Sequence, residues 1–285
     1  MKVGVLQTLG LGDFLTALPA IRALRRHYRD AELTWIGKPE YLQLVEPIFD
    51  QVVELRYLTD AVEIPRLDIG VNLHGSGPVS HQLLVRSRDL LAFHEPRFAP
   101  RGPAWRSRVH IRQHWIDLLS RYGISGDPND FYLDSPEGSR RGASVLHIAP
   151  RDRDRWWPLE RFAEVARAVS HPVVIGHERV KELPAYSLLE LQEVVSAAEL
   201  VIGVDSGIAH LAYAYGRPTI TLFGPAPALR WGPPCHVRHV VLGNRTKFDR
   251  VQPEGPCSSH LMRVSSEEVV AACRTMMGES PRASA

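Results

Sequence analysis

Two stretches of the chain place an apolar strand, a glycine-bearing turn, a helix of apolar and small residues and a second apolar strand in succession. They are MKVGVLQTLGLGDFLTALPAIRALRRHYRDAELTWIG at residues 1–37 and ELVIGVDSGIAHLAYAYGRPTITLF at 199–223. Strands joined through a helix return to the same end of a sheet and so run parallel, with a right-handed crossover. The pattern therefore predicts an α/β fold, and its appearance in both halves predicts two parallel sheets. A chain of 285 residues suits this division, since one hydrophobic core seldom serves more than about 250–300 residues.

Along the chain, residues 1–7 read as a buried strand, TLGLGD as a turn, and 14–29 as a helix with Leu15, Leu18, Ile21, Leu24 and Tyr28 at helical spacing. Further strands are expected at 32–37, 51–55 and 68–75, the last running into the glycine-rich loop HGSGP, and a helix at 110–122 closes this half. DSPEGSRRGAS at 134–144 is poor in apolar residues and reads as a linker. Beyond it come strands at SVLHIAP, 171–176, ELVIGV and TITLF, with helices at 159–169, LLELQEVVSAAE and 208–215. SSEEVVAACRTMM has the Ser-x-x-Glu chemistry of a helix start. The expected organisation is an N-terminal domain at 1–134, a second at 144–265, a C-terminal helix at 266–278 and a fraying tail at 279–285.

A formal net charge of +2 gives no global signal for nucleic acid. The N-terminal apolar run is too short for a secretory signal, and no window approaches the roughly 18 apolar residues of a spanning helix. A cytoplasmic, monomeric protein is expected, with contact at the inner face of the membrane left open. Cys235, Cys257 and Cys273 form no CxxC pair. Cys235 with His239, or Cys257 with His260, fits no closed four-ligand zinc pattern, so no metal and no cofactor are expected.

Ligands of open parallel sheets sit beyond the carboxyl ends of the strands. Asp205, Ser206 and Gly207 occupy such a place, at the head of a helix whose backbone N–H groups and dipole favour a phosphate. Gly207 lets an anion approach the backbone, and His210, one turn on, lies on the same side as Ser206. Asp205 would repel a phosphate and is better suited to sugar hydroxyls. The alternative is structural: Asp205 as a helix cap and His210 as a core histidine.

The run VIGVDSGIAHLAYAYGRPTITLFGP resembles the signature of the heptosyltransferase-like glycosyltransferases, glycosyltransferase family 9. LGLGDFLTALPAIRALRRHYRDAELTWIG is similar to that family's opening, Leu-Gly-Asp before a helix containing proline, and RDRDRWWPLERFAEVA at 151–166 to its basic residue before Trp-Pro. The resemblance implies the GT-B architecture, two Rossmann-like domains with parallel sheets facing across a cleft. It implies an inverting, metal-independent transfer of a heptose-like sugar from a nucleotide diphosphate donor, typically ADP-linked, to a hydroxyl of a glycan, glycolipid or small molecule. The donor would lie in the C-terminal half and the acceptor in the N-terminal half.

By the same resemblance Asp13 is the general base, against the alternative of a plain helix N-cap. Arg155, standing where the family usually has Lys, would meet the donor phosphates with Ser206, Gly207 and His210, and Arg151 and Arg153 could share that role. Glu178 corresponds to an acid holding the donor ribose, with Asp205 beside the sugar. Gly12 and His74 fall on the acceptor side. Residues 86–121 hold eight Arg against three acids, plus His94, His110 and His114, which suits an anionic acceptor or a merely solvated surface. Arg22, Arg25, Arg26 and Arg29 share a helix face that could meet anionic lipid, or only water.

Three rivals remain at this level. A dinucleotide oxidoreductase would need a third glycine where Leu15 stands and an acid where the second strand ends in Gly37-Lys38. A nucleotide-sugar epimerase would use the donor without an acceptor. A non-catalytic sugar-nucleotide binding protein would have no use for Asp13.

Overall fold

The computed structural model describes residues 1–136, 142–148, 153–176, 186–246 and 259–278. The chain divides into two compact units, Met1–Phe131 and Tyr132–Ala285.

The first unit runs β1 (Lys2–Gln7), α1 (Leu11–His27), β2 (Glu32–Gly37), a 3-10 segment (Pro39–Leu44), β3 (Gln51–Glu54), β4 (Ile69–Asn72), α2 (Pro78–Leu83), β5 (Asp89–Leu91) and α3 (Ile111–Ser120). Its five strands are ordered β3-β2-β1-β4-β5, all parallel. Leu6 lies beside Ile36 on one side and Asn72 on the other. Residues 3–6 of the central strand, Val-Gly-Val-Leu, are apolar and buried because both faces are covered. One face packs Leu6, Ile36, Leu55, Leu67 and Leu84. On α1, Phe14 is fully buried and meets Trp35 edge-on at 5.6 Å, a pairing worth about 0.5–1.5 kcal/mol beyond the area it covers.

The helix begins three residues earlier than its periodicity predicts. Gly10 is extended at φ −78°, ψ 174°, and its N–H is accepted by Asp13 Oδ2 at 3.2 Å, so an N3 acid reaches back to the cap position. Strand β4 ends at Asn72, short of the expected 75, because the Asn72 side chain captures the next turn: His74 N donates to Asn72 Oδ1 at 3.0 Å. The three-residue β5, which begins at Asp89 after Arg86 and Arg88, carries too little apolar pattern to be read from sequence.

The second unit runs β6 (Ser144–His147), a 3-10 turn (Arg153–Arg155), α4 (Leu159–Ala168), β7 (Pro172–Ile175), α5 (Leu188–Ala197), β8 (Leu200–Val204), α6 (Gly207–Ala214), β9 (Thr219–Phe223), α7 (Ala228–Trp231), β10 (His239–Gly243), α8 (Ser259–Met262) and α9 (Ser266–Met276). Its strands are ordered β10-β9-β8-β6-β7, again parallel. Trp157 stacks edge-on against Phe162 at 4.7 Å, and its indole N–H donates to Val264 O at 3.1 Å, tying α4 to the chain before α9. Ser265 and Glu268 form the expected capping box at the head of α9: Ser265 N donates to Glu268 Oε2 at 2.9 Å, and Glu268 N to Ser265 Oγ at 3.2 Å. Gly216, at φ +60°, ends α6 in the left-handed conformation that glycine adopts without strain. Strand β10 has no counterpart in the sequence reading.

In each unit the first strand lies between the second on one side and a later one on the other. The carboxyl ends of β1 and β4, and of β6 and β8, therefore flank a switch point, where the flanking loops diverge and leave a crevice. Among the described residues no helix is long and apolar enough to cross a membrane.

Candidate functional site

At the switch point of the second unit, Asp205 follows the last residue of β8 and Ser206 caps α6. The Ser206 side chain accepts from Ala209 N at 3.5 Å, so the cap is Ser206 and not Asp205. The amides of Gly207 and Ile208 head this helix, where backbone donors and the dipole favour an anion. Asp205 is only 5% exposed, and a carboxylate buried to that degree needs cationic or hydrogen-bonding partners. Arg155 supplies one, its Nη1 donating to Asp205 O at 3.2 Å and standing 3.5 Å from Oδ2. His210 Nε2 lies 3.6 Å from Oδ1, too far for a hydrogen bond but close enough for a charge to be felt. Arg155 and His210, both expected at the donor phosphates, thus converge on Asp205.

The walls of this site were not apparent from sequence. His147, at the end of β6, places Nδ1 3.0 Å from Ser206 Oγ. Ser206 Oγ thus stands between Ala209 N and His147 Nδ1. Gly203 permits the contact: a Cβ there would stand 2.9 Å from His147 O. The His210 ring lies edge-on to Tyr213 at 5.5 Å and to Trp231 at 6.3 Å. Beside Trp231, burial lowers the Arg230 guanidinium to about 10. The position of His147 at a strand's carboxyl end was the available signal; Trp231 offered none. Glu178 and Arg151 lie outside the described residues, as does the side chain of Arg153.

In the first unit the switch point gathers Thr8, Gly10, Gly12, Asp13 and His74. Asp13 sits at N3 of α1 and is half-buried, within the first helical turn and not at the N-cap. His74 Nδ1 lies 3.3 Å from Thr8 N and 3.2 Å from Thr8 Oγ1. Desolvation, with Lys38 adding a smaller repulsion, lowers the His74 imidazole to about 4, so the ring is neutral at pH 7.

The arginine face of α1 is committed internally. Arg22 binds Glu46 at 2.9 Å and Asp130 at 3.2 Å, Arg25 binds Asp50 at 3.1 Å, and Arg26 binds Asp130 at 2.6 Å. These three are thus ion-paired within the unit, and Arg29, the fourth expected member of the face, falls beyond the end of α1. In the 86–121 region, Arg106 pairs with Asp117, Arg112 is buried over the Phe131 ring at 4.1 Å, and His114 stacks on Phe93 at 4.2 Å. Arg106, Arg112 and His114 thus have structural partners. His239 Nδ1 meets Thr219 Oγ1 at 3.0 Å, and among the described residues no group of three His, Cys, Asp or Glu could hold a metal ion.

Residues 173–257, which include the Asp205–His210 turn, match the sequence profile of glycosyltransferase family 9 (heptosyltransferase). Over that segment the chain is similar to family 9. Lipopolysaccharide heptosyltransferase 1 of Escherichia coli K12 is 22% identical over 282 residues, covering 79% of this chain and 88% of that protein. The Campylobacter coli enzyme of the same name is 39% identical over 75 residues, only 26% of this chain and 22% of its own length. The structure of E. coli heptosyltransferase WaaC with ADP superposes with a TM-score of 0.69 at 20% identity, covering 98% of this chain and 100% of that one. This shared fold comprises two parallel five-stranded sheets surrounded by helices, the α/β construction of the GT-B enzymes.

Proposed function

We propose that the chain is an inverting glycosyltransferase that moves a heptose-like sugar from an ADP-linked donor to a hydroxyl of an acceptor, a glycan or glycolipid such as the lipopolysaccharide core. The observation that carries this reading is the turn at the head of α6. There, backbone amides suited to a diphosphate adjoin a buried carboxylate, Asp205, braced by Arg155 and His210, within the segment that matches family 9.

In this reading the amides of Gly207 and Ile208 and the Ser206 hydroxyl receive the diphosphate, whose charge grows as it departs. Arg155 adds a positive field, and its bond to the Asp205 main chain holds it at the strand end. Asp205 would accept from donor hydroxyls. In the first unit the Asp13 carboxylate takes the proton of the acceptor hydroxyl as that oxygen forms a bond to the anomeric carbon. The bond from that carbon to the β-phosphate oxygen breaks, and ADP leaves with the electron pair. One displacement inverts the anomeric configuration. Protein groups supply the counter-charge to the diphosphate, so the scheme calls for no metal.

The test separates binding from chemistry. Asp13→Ala should bind ADP as wild type does and lose transfer from ADP-heptose to heptose-free lipopolysaccharide by about 10²–10⁴-fold, the range for a positioned general base. Undiminished turnover in that variant would remove Asp13 from the role.

A further inference from the structure

The first unit contains a hydrogen-bond chain that the chemistry above does not use. It starts at His81, which is fully buried on α2. His81 Nε2 lies 2.9 Å from Phe93 O. Nδ1 lies 3.2 Å from Asn72 Nδ2 and 2.8 Å from Gly77 O. Ser80 Oγ donates to Gly77 O at 2.9 Å and accepts from Asn72 Nδ2 at 3.0 Å. One imidazole thus joins the end of β4, the head of α2 and the chain just after β5.

Asn72 passes this constraint on. Its Oδ1 accepts from His74 N, a backbone amide that can only donate, so the carboxamide orientation is set: oxygen toward His74, nitrogen toward Ser80 and His81. His74 is fixed in turn at its ring. Thr8 N is also a backbone donor, so His74 Nδ1 must accept and the ring hydrogen resides on Nε2. The ring is half-buried, and Nε2 makes no hydrogen bond to any described residue. Thr8 lies two residues before the Gly10 cap of α1 and five before Asp13.

We propose that Asn72 and His81 are positioning residues that hold His74 in one tautomer, with Nε2–H presented as a neutral hydrogen-bond donor to an oxygen of the hydroxyl-bearing acceptor. A neutral donor suits a sugar hydroxyl or ring oxygen. It leaves proton removal to Asp13, because the basic nitrogen of His74 is occupied by Thr8. This deepens the acceptor-side reading of the first unit and rests on it for the identity of the ligand, but the tautomer does not depend on that reading.

The experiment has two arms. Long-range ¹H–¹⁵N spectra of the full-length protein at pH 7, with the His74 resonances assigned through His74→Gln, should show only the Nε2–H tautomer. His81→Gln and the milder Asn72→Ser should both give tautomer averaging at His74. A mixed or Nδ1–H ring in the wild type, or an undisturbed ring in folded Asn72→Ser, would overturn the positioning role. In the second arm, His74→Ala should raise KM for heptose-free lipopolysaccharide about tenfold and leave KM for ADP-heptose unchanged. His74→Gln, which keeps an acceptor for Thr8 and a donor beyond it, should restore most of the loss. An equal effect on both KM values, or no rescue by Gln, would refute the donor role. Complete absence of transfer in the wild type would instead count against the glycosyltransferase reading, with the first arm still deciding the tautomer.

Discussion

Replacing His74 by Gln should change how stability depends on pH. The imidazole falls from its ordinary 6.5 to about 4 in the fold, chiefly through desolvation, with Lys38 adding to it. Above 6.5 both folded and unfolded chains hold a neutral ring and pH has no leverage. Between 6.5 and 4 the unfolded chain takes up the proton and the folded one does not, so stability falls as pH falls, and below 4 the penalty is complete. A shift of 6.5 to about 4 corresponds to at most about 3.4 kcal/mol at about 1.36 per unit. Because the ring is partly open to water, about 1–2 kcal/mol is the realistic span. Thermal melts of wild type and His74→Gln at pH 7 and pH 4.5 would read it. The wild type should lose about 3–8 °C more than the variant on acidification, at roughly 3–4 °C per kcal/mol for a unit of this size. Parallel pH profiles for the two proteins would refute the desolvated-ring account.

Four further outcomes follow from the same geometry. Arg155→Ala should weaken ADP binding about 10- to 100-fold and Arg155→Lys less, since Lys keeps the charge but not the planar fork, as titration calorimetry would measure. Ser206→Ala should cost about 1 kcal/mol of stability through the lost cap and also reduce ADP affinity, whereas Ser265→Ala should cost a similar amount in denaturant unfolding with no effect on ADP. Gln7 is 1% exposed and neither of its amide atoms has a hydrogen-bond partner among the described residues, so Gln7→Met should leave stability equal or raise it by about 1–2 kcal/mol in the same assay. Arg22→Ala should destabilise the first unit without altering the affinity for anionic vesicles, because its partners are Glu46 and Asp130.

What could be read from sequence was what is local. The strand–turn–helix units declared two parallel sheets, and the Asp205–Ser206–Gly207 turn declared a helix head beyond a strand's carboxyl end, because all of their parts are contiguous. Partnerships across the fold were invisible: His147 meets Ser206 from 59 residues away, and Arg155 meets Asp205 from 50. The three arginines of α1 show why. Helical spacing put Arg22, Arg25 and Arg26 on one face, but nothing local revealed that Glu46, Asp50 and Asp130 would fold onto it. Helix and strand limits shifted where a side chain captured backbone, as Asp13 does at the head of α1 and Asn72 at the end of β4.

The central claim is that the turn at the head of α6 is the site of an ADP-linked donor. Titration calorimetry of ADP, with UDP, GDP and NAD as competitors, on wild type and on Arg155→Ala tests it most directly. Selective binding of ADP that weakens at least tenfold in the variant is the predicted result. Equal affinity for ADP in both proteins, or binding of NAD in place of ADP, would contradict it.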